Sequence, residues 1–427
     1  MVLALVGLAS SSAYLTRYCI SVANTTIEGE LGLTPSEMGW VFSVFNIGYL
    51  FFQVPGGALG TRYGTRVSLP VLSALWSAIT LWTAAATSYL PLLASRVAFG
   101  AAQAGLVPNS AKVVSDWLPL SRRGFGSAVI GAAMSVGSVI TLGLTAQLLL
   151  YLDWRTVFRL YSLVGIVWSA GYYLLVRSRP SEHPWVNEAE RRLIMGDVGD
   201  AADGNTERKP AKRGLSRHGL AMMARSLSMW GICAQAFFRA AGYIILVTWF
   251  PAFLEKGFGV TREEAGFMSM APTAAVIAGT MLGGVIVDGL LRRTGSKWIS
   301  RCGVAMTALG LCSVFTLSAS WTGSAYQLVA AVAAGAIFSG GGNPAGWAVT
   351  MDVAGDLTAE VMGVMNMAGT VGALITPVLL GYLIENIERT NGDWNQVIYV
   401  AAGIYLAGAL CWLVIDPEAS VTEPSAL

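Results

Sequence analysis

Arg17, Arg96 and Arg239 each stand inside a long apolar segment, and no Asp or Glu lies within ten residues of any of them along the chain. A charge in a hydrocarbon-spanning helix is costly, so such a residue faces a cavity, finds a partner or receives a ligand. The guanidinium group keeps its charge at neutral pH and presents paired donors that match a carboxylate. Three cations with almost no acid to neutralise them therefore read as a site for an anion. Helical spacing gathers polar side chains beside them. Tyr14, Arg17 and Ser21 share one face, as do Asn46, Tyr49 and Gln53; further pairs are Arg96 with Gln103, Arg239 with Tyr243, Asn343 with Trp347, and Asn366 with Thr370. These groups suit a polar, hydroxylated carbon skeleton, and the rings of Tyr14, Tyr49, Tyr243 and Trp347 permit stacking. The competing reading gives each arginine a structural task, tying helices together through backbone carbonyls, and each Tyr, Asn or Trp a packing one.

Other chemistry finds no residues to carry it. The apolar segments hold no Ser-His-Asp, Cys-His or metal-ligand cluster, and both histidines, His183 and His218, fall in a polar stretch. Cys19, Cys233, Cys302, Cys312 and Cys411 lack metal-ligand spacing and read as small packing residues. Gly340, Gly341 and Gly342 lack the Lys-Ser/Thr ending of a phosphate loop and mark close helix packing or a hinge instead. No enzyme activity, metal or cofactor is expected.

The elements that must hold the arginines are membrane helices. The chain of 427 residues is 54% hydrophobic and 12% charged, with a mean hydropathy of +0.59, whereas soluble domains run nearer a quarter charged. Its net charge of +2 gives no basic face for nucleic acid. A spanning helix needs roughly 20 apolar residues, and twelve such runs appear: 2–24, 36–59, 68–87, 90–117, 124–150, 156–176, 227–253, 263–290, 299–319, 324–351, 361–385 and 395–415. The first reads as a spanning helix, because Arg17 interrupts it and no small-residue cleavage pattern follows. The polar stretch 177–226 divides the chain into bundles at 1–176 and 227–416, with a tail at 417–427. Within that linker, Asn187 and Glu190 form a capping-box pattern opening a short surface helix, and 196–214 reads as flexible.

Basic residues set orientation. Arg62, Arg66, Arg122, Arg123, ten Lys and Arg around the central loop, Arg292, Arg293 and Lys297 share one side, against Arg155, Lys256, Arg262 and Arg389 on the other. Both termini are therefore expected in the cytoplasm. The halves echo each other: Gly56-Gly57 and Gly283-Gly284 each follow the second helix of a half and lead into a basic turn. Such duplication implies two bundles about a central axis.

Twelve helices in two halves with GGALGTRYGTR after the second resemble the major facilitator superfamily. More specifically, the chain is similar to the anion:cation symporter family, which includes sugar-acid transporters and relatives of the vesicular glutamate and sialic acid carriers. The matching segments are RYCISVA (17–23), MGWVFSVFNIGYLFFQVPGG (38–57), RVAFGAAQAG (96–105), WRTVFRLYSLVG (154–165), RSRPSEHPWVNEAERRLI (177–194), TWFPAFLEKGFG (248–259) and MGVMNMAGTVGALITPVLLG (362–381). The resemblance implies an all-α membrane protein of twelve transmembrane helices in two pseudo-symmetric six-helix bundles, the major facilitator fold. It also implies a monomer in the plasma (cell inner) membrane. Arg17 and Arg96 match family positions near a bound carboxylate, and Arg239 a helix-7 arginine of the vesicular branch. Tyr14, Tyr49, Asn343, Trp347 and Asn366 fall where relatives line the cavity. Arg62, Arg66, Asp288 and Arg292 fall at the gate.

Departures from the family pattern bear on the driving force. Thr16 replaces the Asp before the helix-1 arginine, Gln103 replaces the Glu of the helix-4 motif, and Thr61 replaces the acid of the loop motif. The surviving membrane-edge acids, Asp116, Asp288, Asp352 and Glu385, lie near helix ends. Moving a monoanion inward against 100 mV costs about 2.3 kcal/mol, which a proton-binding carboxylate ordinarily offsets. The expected function is alternating-access transport of a small organic anion, with proton symport as the family default. The alternative is an exchanger or downhill carrier without proton coupling, or one using another cation. A transporter-shaped anion sensor is a second class of reading, disfavoured because no signalling domain is appended.

Overall fold

The computed structural model describes residues 1–118, 123–188, 223–354 and 358–418. The Asn187/Glu190 capping box, the surface helix and linker that follow it, Arg122, the Thr61 side chain and most of the 417–427 tail lie outside what is described. Among the described residues the chain forms twelve helical rods. α1 is Val2–Val22, continued past Ala23 by Asn24–Leu31; α2 is Pro35–Tyr63, α3 Thr65–Ala85, and α4 Tyr89–Gln103 continued by Leu106–Trp117. α5 is Arg123–Leu148 and α6 Trp154–Leu175. α7 is Leu227–Thr248 continued by Phe250–Phe258, and α8 is Arg262–Thr294. α9 starts as a π-helix, Ile299–Gly303, and continues as Val304–Ser318. α10 is Ala325–Gly341 continued by Asn343–Ala354, α11 is Thr358–Thr390 and α12 Asn395–Leu410. Every apolar run becomes a helix, but α1, α2, α7, α8 and α11 outrun theirs by several residues. Hydrocarbon thickness limits the apolar stretch, not the hydrogen-bonded ladder, which continues into polar sequence until a cap stops it.

Those caps are local. Thr34 and Glu37 bond each other's backbone N–H groups at 3.2 and 2.9 Å, opening α2, and Thr261 with Glu264 forms the same reciprocal box at α8. Gly32, Gly259 and Gly295 end their helices in the left-handed region. α4 and α10 are both interrupted, and each inner segment carries a proline, Pro108 or Pro344, near its start. Proline has no N–H to return to the carbonyl four residues earlier.

The chain forms two compact units, 1–32 with 44–212 and 33–43 with 213–427. In the first, α2 and α4 cross so closely that a Cβ on Gly48 would overlap the Val97 carbonyl. The core there gathers Trp76, Phe99, Trp168 and Tyr172. In the second, α8 and α10 cross equally closely, with Gly279 against the Ile337 carbonyl, around a core holding Ile232, Leu309, Tyr405 and Trp412. Also in that unit, the Trp249 indole donates to Pro377 O at 3.0 Å and meets the Phe42 ring edge-on. Away from the basic turns, Glu30 receives the Trp154 indole N–H and the Arg155 guanidinium, and Arg155 also donates to the last carbonyls of α3, Ala84 and Ala86. His183, expected in a polar stretch, is buried: its Nε2 pairs with Leu175 O and its Nδ1 accepts the Trp185 N–H, with Trp117 edge-on.

Candidate functional site

In the first unit the helix-1 and helix-4 arginines meet. Arg17 donates Nε–H to Gln103 Oε1 at 3.0 Å, and Arg96 donates Nη2 to the Arg17 carbonyl at 3.3 Å. The two lie at one depth, as counting from the helix ends suggests. Gln103 is fully buried and its amide is fully used, because Nε2 donates to Ala13 O at 2.8 Å and to Thr16 Oγ1 at 3.4 Å. The Arg17 guanidinium lies over three rings, Phe45 at 4.4 Å, Tyr14 at 4.7 Å and Tyr49 at 5.1 Å from their centroids. Tyr14 and Tyr49 thus join Arg17 as their helical faces require; Phe45, one turn before Tyr49, was not singled out and the same spacing rule finds it. Tyr18 is another omission, its hydroxyl lying against Arg17.

Arg96 differs. It is 3% exposed, packs over Phe99, and its Nε–H has no partner among the described residues. Its bond to the Arg17 carbonyl is the structural role that competes with ligand binding.

In the second unit Arg239 donates Nη1 to Asn343 Oδ1 at 2.9 Å, and Asn343 passes the chain on to Thr280 Oγ1 at 3.3 Å. Asn343 opens the inner segment of α10, so the break in that helix sets the bond. Thr280 was not singled out in the sequence, although Thr273, seven residues earlier, puts a second hydroxyl on the same stripe of α8. Trp347 is 52% exposed, Asn366 is exposed, and among the described residues neither bonds Arg239. Tyr243 is half-buried one turn beyond Arg239. Gln235, one turn before Arg239, is buried at 1% exposure; the stripe rule applied backwards from Arg239 reaches it.

The gate candidates sit in the basic turns. Arg66 donates Nε to Tyr173 O at 3.1 Å and lies over the Tyr173 ring, while Arg62 lies over Tyr63. Asp288 and Arg292 are exposed. Nearby, Arg301 pairs with Asp352 at 3.0 Å, an ion pair that sequence reading missed because the partners are 51 residues apart. Among the described residues Arg17, Arg96 and Arg239 have no ion pair and no group of His, Cys, Asp or Glu is placed to hold a metal.

Three face contacts of about 0.5–2 kcal/mol each work against the several kcal/mol needed to desolvate an ion, and they bring no opposite charge. Among the described residues the cluster is short of negative charge.

The Major Facilitator Superfamily family model matches residues 6–289 and again 232–426. The chain belongs to the Major Facilitator Superfamily. It is accordingly a multi-pass membrane transporter and not an enzyme. Among relatives, the probable galactarate/D-glucarate transporter of Bacillus subtilis is 30% identical over 96% of this chain and 90% of its own length. The probable sulfoacetate transporter of Cupriavidus necator is 28% identical over 99% and 95%, and the D-galactonate transporter of Escherichia coli 28% over 94% and 92%. Solved superfamily structures share the fold. A bacterial homologue of the human lysosomal transporter Spinster superposes with a TM-score of 0.75 at 18% identity, covering 97% of this chain and 94% of its own. A D-xylose–proton symporter does so with 0.73 at 14%, covering 97% and 98%.

Proposed function

We propose that this superfamily member carries a small organic anion, a sugar acid or a similar carboxylate, across the cell inner membrane by alternating access. Arg17, Arg96 and Arg239 would attract its charge, with Tyr14, Tyr49, Gln103, Tyr243, Asn343, Trp347 and Asn366 around it. Arg62, Arg66, Asp288 and Arg292 would act at the cytoplasmic gate, with both termini on that side. The observation that carries the reading is the buried Arg96 and half-buried Arg17 and Arg239, with no carboxylate partner among the described residues. Curated relatives named for anionic substrates support it. The test is uptake of galactarate or galactonate into proteoliposomes containing the purified protein. Flux should be abolished in Arg17→Gln, and absence of flux for every carboxylate in a broad panel sinks the proposal.

Proton symport is the superfamily-relative default for coupling, but the Arg17 cluster favours a second reading, exchange or downhill movement. Thr16 bonds Ser12 O and Ala13 O, and Gln103 spends every amide atom on protein partners, so the family's two acid positions hold no titratable group. An imposed inward proton gradient separates the two. Exchange predicts accumulation that depends on internal anion and not on the gradient; gradient-driven accumulation in empty vesicles restores symport.

A further inference from the structure

One motif of the sequence has no part in the arginine site. His183, in the stretch that follows α6, is 6% exposed although Glu182 and Pro184 on either side of it are exposed. Both ring nitrogens are taken by backbone groups. Nε2 lies 2.9 Å from the carbonyl of Leu175, the last residue of α6, and Nδ1 lies 3.2 Å from the Trp185 nitrogen. A carbonyl can only accept and a main-chain N–H can only donate, so the proton sits on Nε2 and Nδ1 offers its lone pair. The geometry thereby selects one neutral tautomer. The Trp117 and Trp185 rings meet the imidazole edge-on, each at 5.4 Å between centroids. Alongside runs a cavity of about 260 Å³ lined by Met1, Leu3, Val114, Trp117, Trp185 and Val186 among others.

Charged groups surround this ring without bonding it. From α4 come Lys112 and Asp116, paired with each other at 2.9 Å. From α1 comes Met1, which carries the terminal ammonium and lines the cavity. The last turn of α6 holds no charged side chain. The segment itself adds Arg177, which donates to Leu174 O and Val176 O, with Arg179, Glu182 and Glu188. We propose that His183 is an acid-sensitive latch: the neutral ring holds residues 177–188 against the adjoining ends of α4 and α6, and protonation releases them. A proton added at Nδ1 points straight at the Trp185 N–H, so the bond that fixes the turn becomes a confrontation of two donors. The new charge gains no carboxylate in exchange, because both nitrogens face backbone. The cavity gives the loosened turn room to move without displacing α1 or α4. Because this segment opens the linker between the bundles, the start of that tether is fixed near neutrality and freed in acid.

The Trp185 amide proton reports on the latch directly. Hydrogen–deuterium exchange of the full-length purified protein is followed at about pH 8 and about pH 5, the span over which an ordinary imidazole changes charge, with each rate compared to the intrinsic rate at that pH. Protection of the peptide holding Trp185 should fall roughly tenfold in acid, the scale of one lost hydrogen bond with its turn. Ala325–Gly341 in α10 should keep its protection. His183→Asn should abolish the dependence and stay protected at both values, since its Oδ1 stands near the place of Nδ1, accepts the same N–H and takes no proton. His183→Leu fills the same apolar surroundings with neither bond, so its protection should be low at both values; it serves if the asparagine variant does not fold. Unchanged protection in wild type, an acid-induced loss that persists in either variant, or full protection in His183→Leu overturns the proposal.

Discussion

The two bundles share a scaffold and diverge in their polar interiors. The capping boxes Thr34/Glu37 and Thr261/Glu264 stand 227 residues apart, as do the glycine pairs Gly56-Gly57 and Gly283-Gly284. Gly105, Pro108 and Asp116 recur 236 residues later as Gly341, Pro344 and Asp352. In each unit the first glycine of the pair lies against the glycine of the interrupted helix, and the second lies against its proline. Backbone geometry has been kept, because helices that cross with no side chain between them accept no substitute. Beyond the capping boxes and the Asp116/Asp352 pair, the polar residues of these knots have not been kept. The first bundle ties α2, α3 and α4 with a neutral knot: Asn109 Nδ2 donates to Gly56 O and Gly105 O at 2.8 and 2.6 Å, and Ser68 donates to its Oδ1 at 2.8 Å. The second ties α8, α9 and α10 with a charged one, in which Ser300 donates to Val287 O while Arg301 donates to Ser300 Oγ and to Asp352. One architecture therefore tolerates two electrostatic solutions, and functional asymmetry resides in side chains.

The largest expected effect tests the shared part. Gly48→Ala and Gly279→Ala both force a methyl into a facing carbonyl, at about 3 kcal/mol or more. Both should abolish the monodisperse peak in detergent size-exclusion, whereas Gly310→Ala, with open space around it, should leave it intact. A tolerant Gly279 alone would mean that the second crossing is looser than the first.

The knots come next. Asn109→Ala removes three bonds at a fully buried site and should cost about 2–3 kcal/mol. Arg301→Met strands Asp352, whose side chain is 22% exposed; water reaches it, so the cost falls below the full buried-pair value to about 2 kcal/mol. The charged knot has a signature the neutral one lacks: Arg301→Met with Asp352→Asn should melt higher than Arg301→Met alone. Thermal unfolding of all variants in one detergent decides this.

The arginine partners follow. Gln103→Leu breaks three bonds and Asn343→Leu two, so the first should lower stability by about 1 kcal/mol more, read as a difference in midpoint.

The smallest effect belongs to the first bundle alone. The Trp154 indole bond, and then Arg155, hold the Glu30 carboxyl below its ordinary value, and the Thr156 hydroxyl does the same for Asp153. The unfolded chain then binds more protons, so the contribution is complete above the unfolded values near 4.5 and 3.8 and disappears as pH falls through the lower folded ones. Melting temperature should drop below pH 4.5, less steeply in Glu30→Gln.

Sequence reading reached the helices and much of the first-bundle site because both follow from period and hydrophobicity. Tyr14, Arg17, Tyr49 and Gln103 are joined by spacing on single helices and by matched depth. Arg301 with Asp352, and Arg239 through Asn343 with Thr280, are joined by how helices cross, which one-dimensional spacing does not encode. Helix ends were missed where caps, and not apolarity, decide; the Thr-x-x-Glu boxes were present to be read. Trp347 and Asn366 share a helical face with polar neighbours, yet a face alone does not say which way it is turned.

The prolines in the interrupted helices have one more consequence. With no N–H at residues 108 and 344, the carbonyls of Ala104 and Gly340 lose their ladder donors, and the rods are pinned there by side chains and neighbouring turns. Main-chain protons flanking these two places should trade with deuterium sooner than those a turn away on either side. Two matching soft spots, one per bundle, would then be visible to mass spectrometry without any substitution or label.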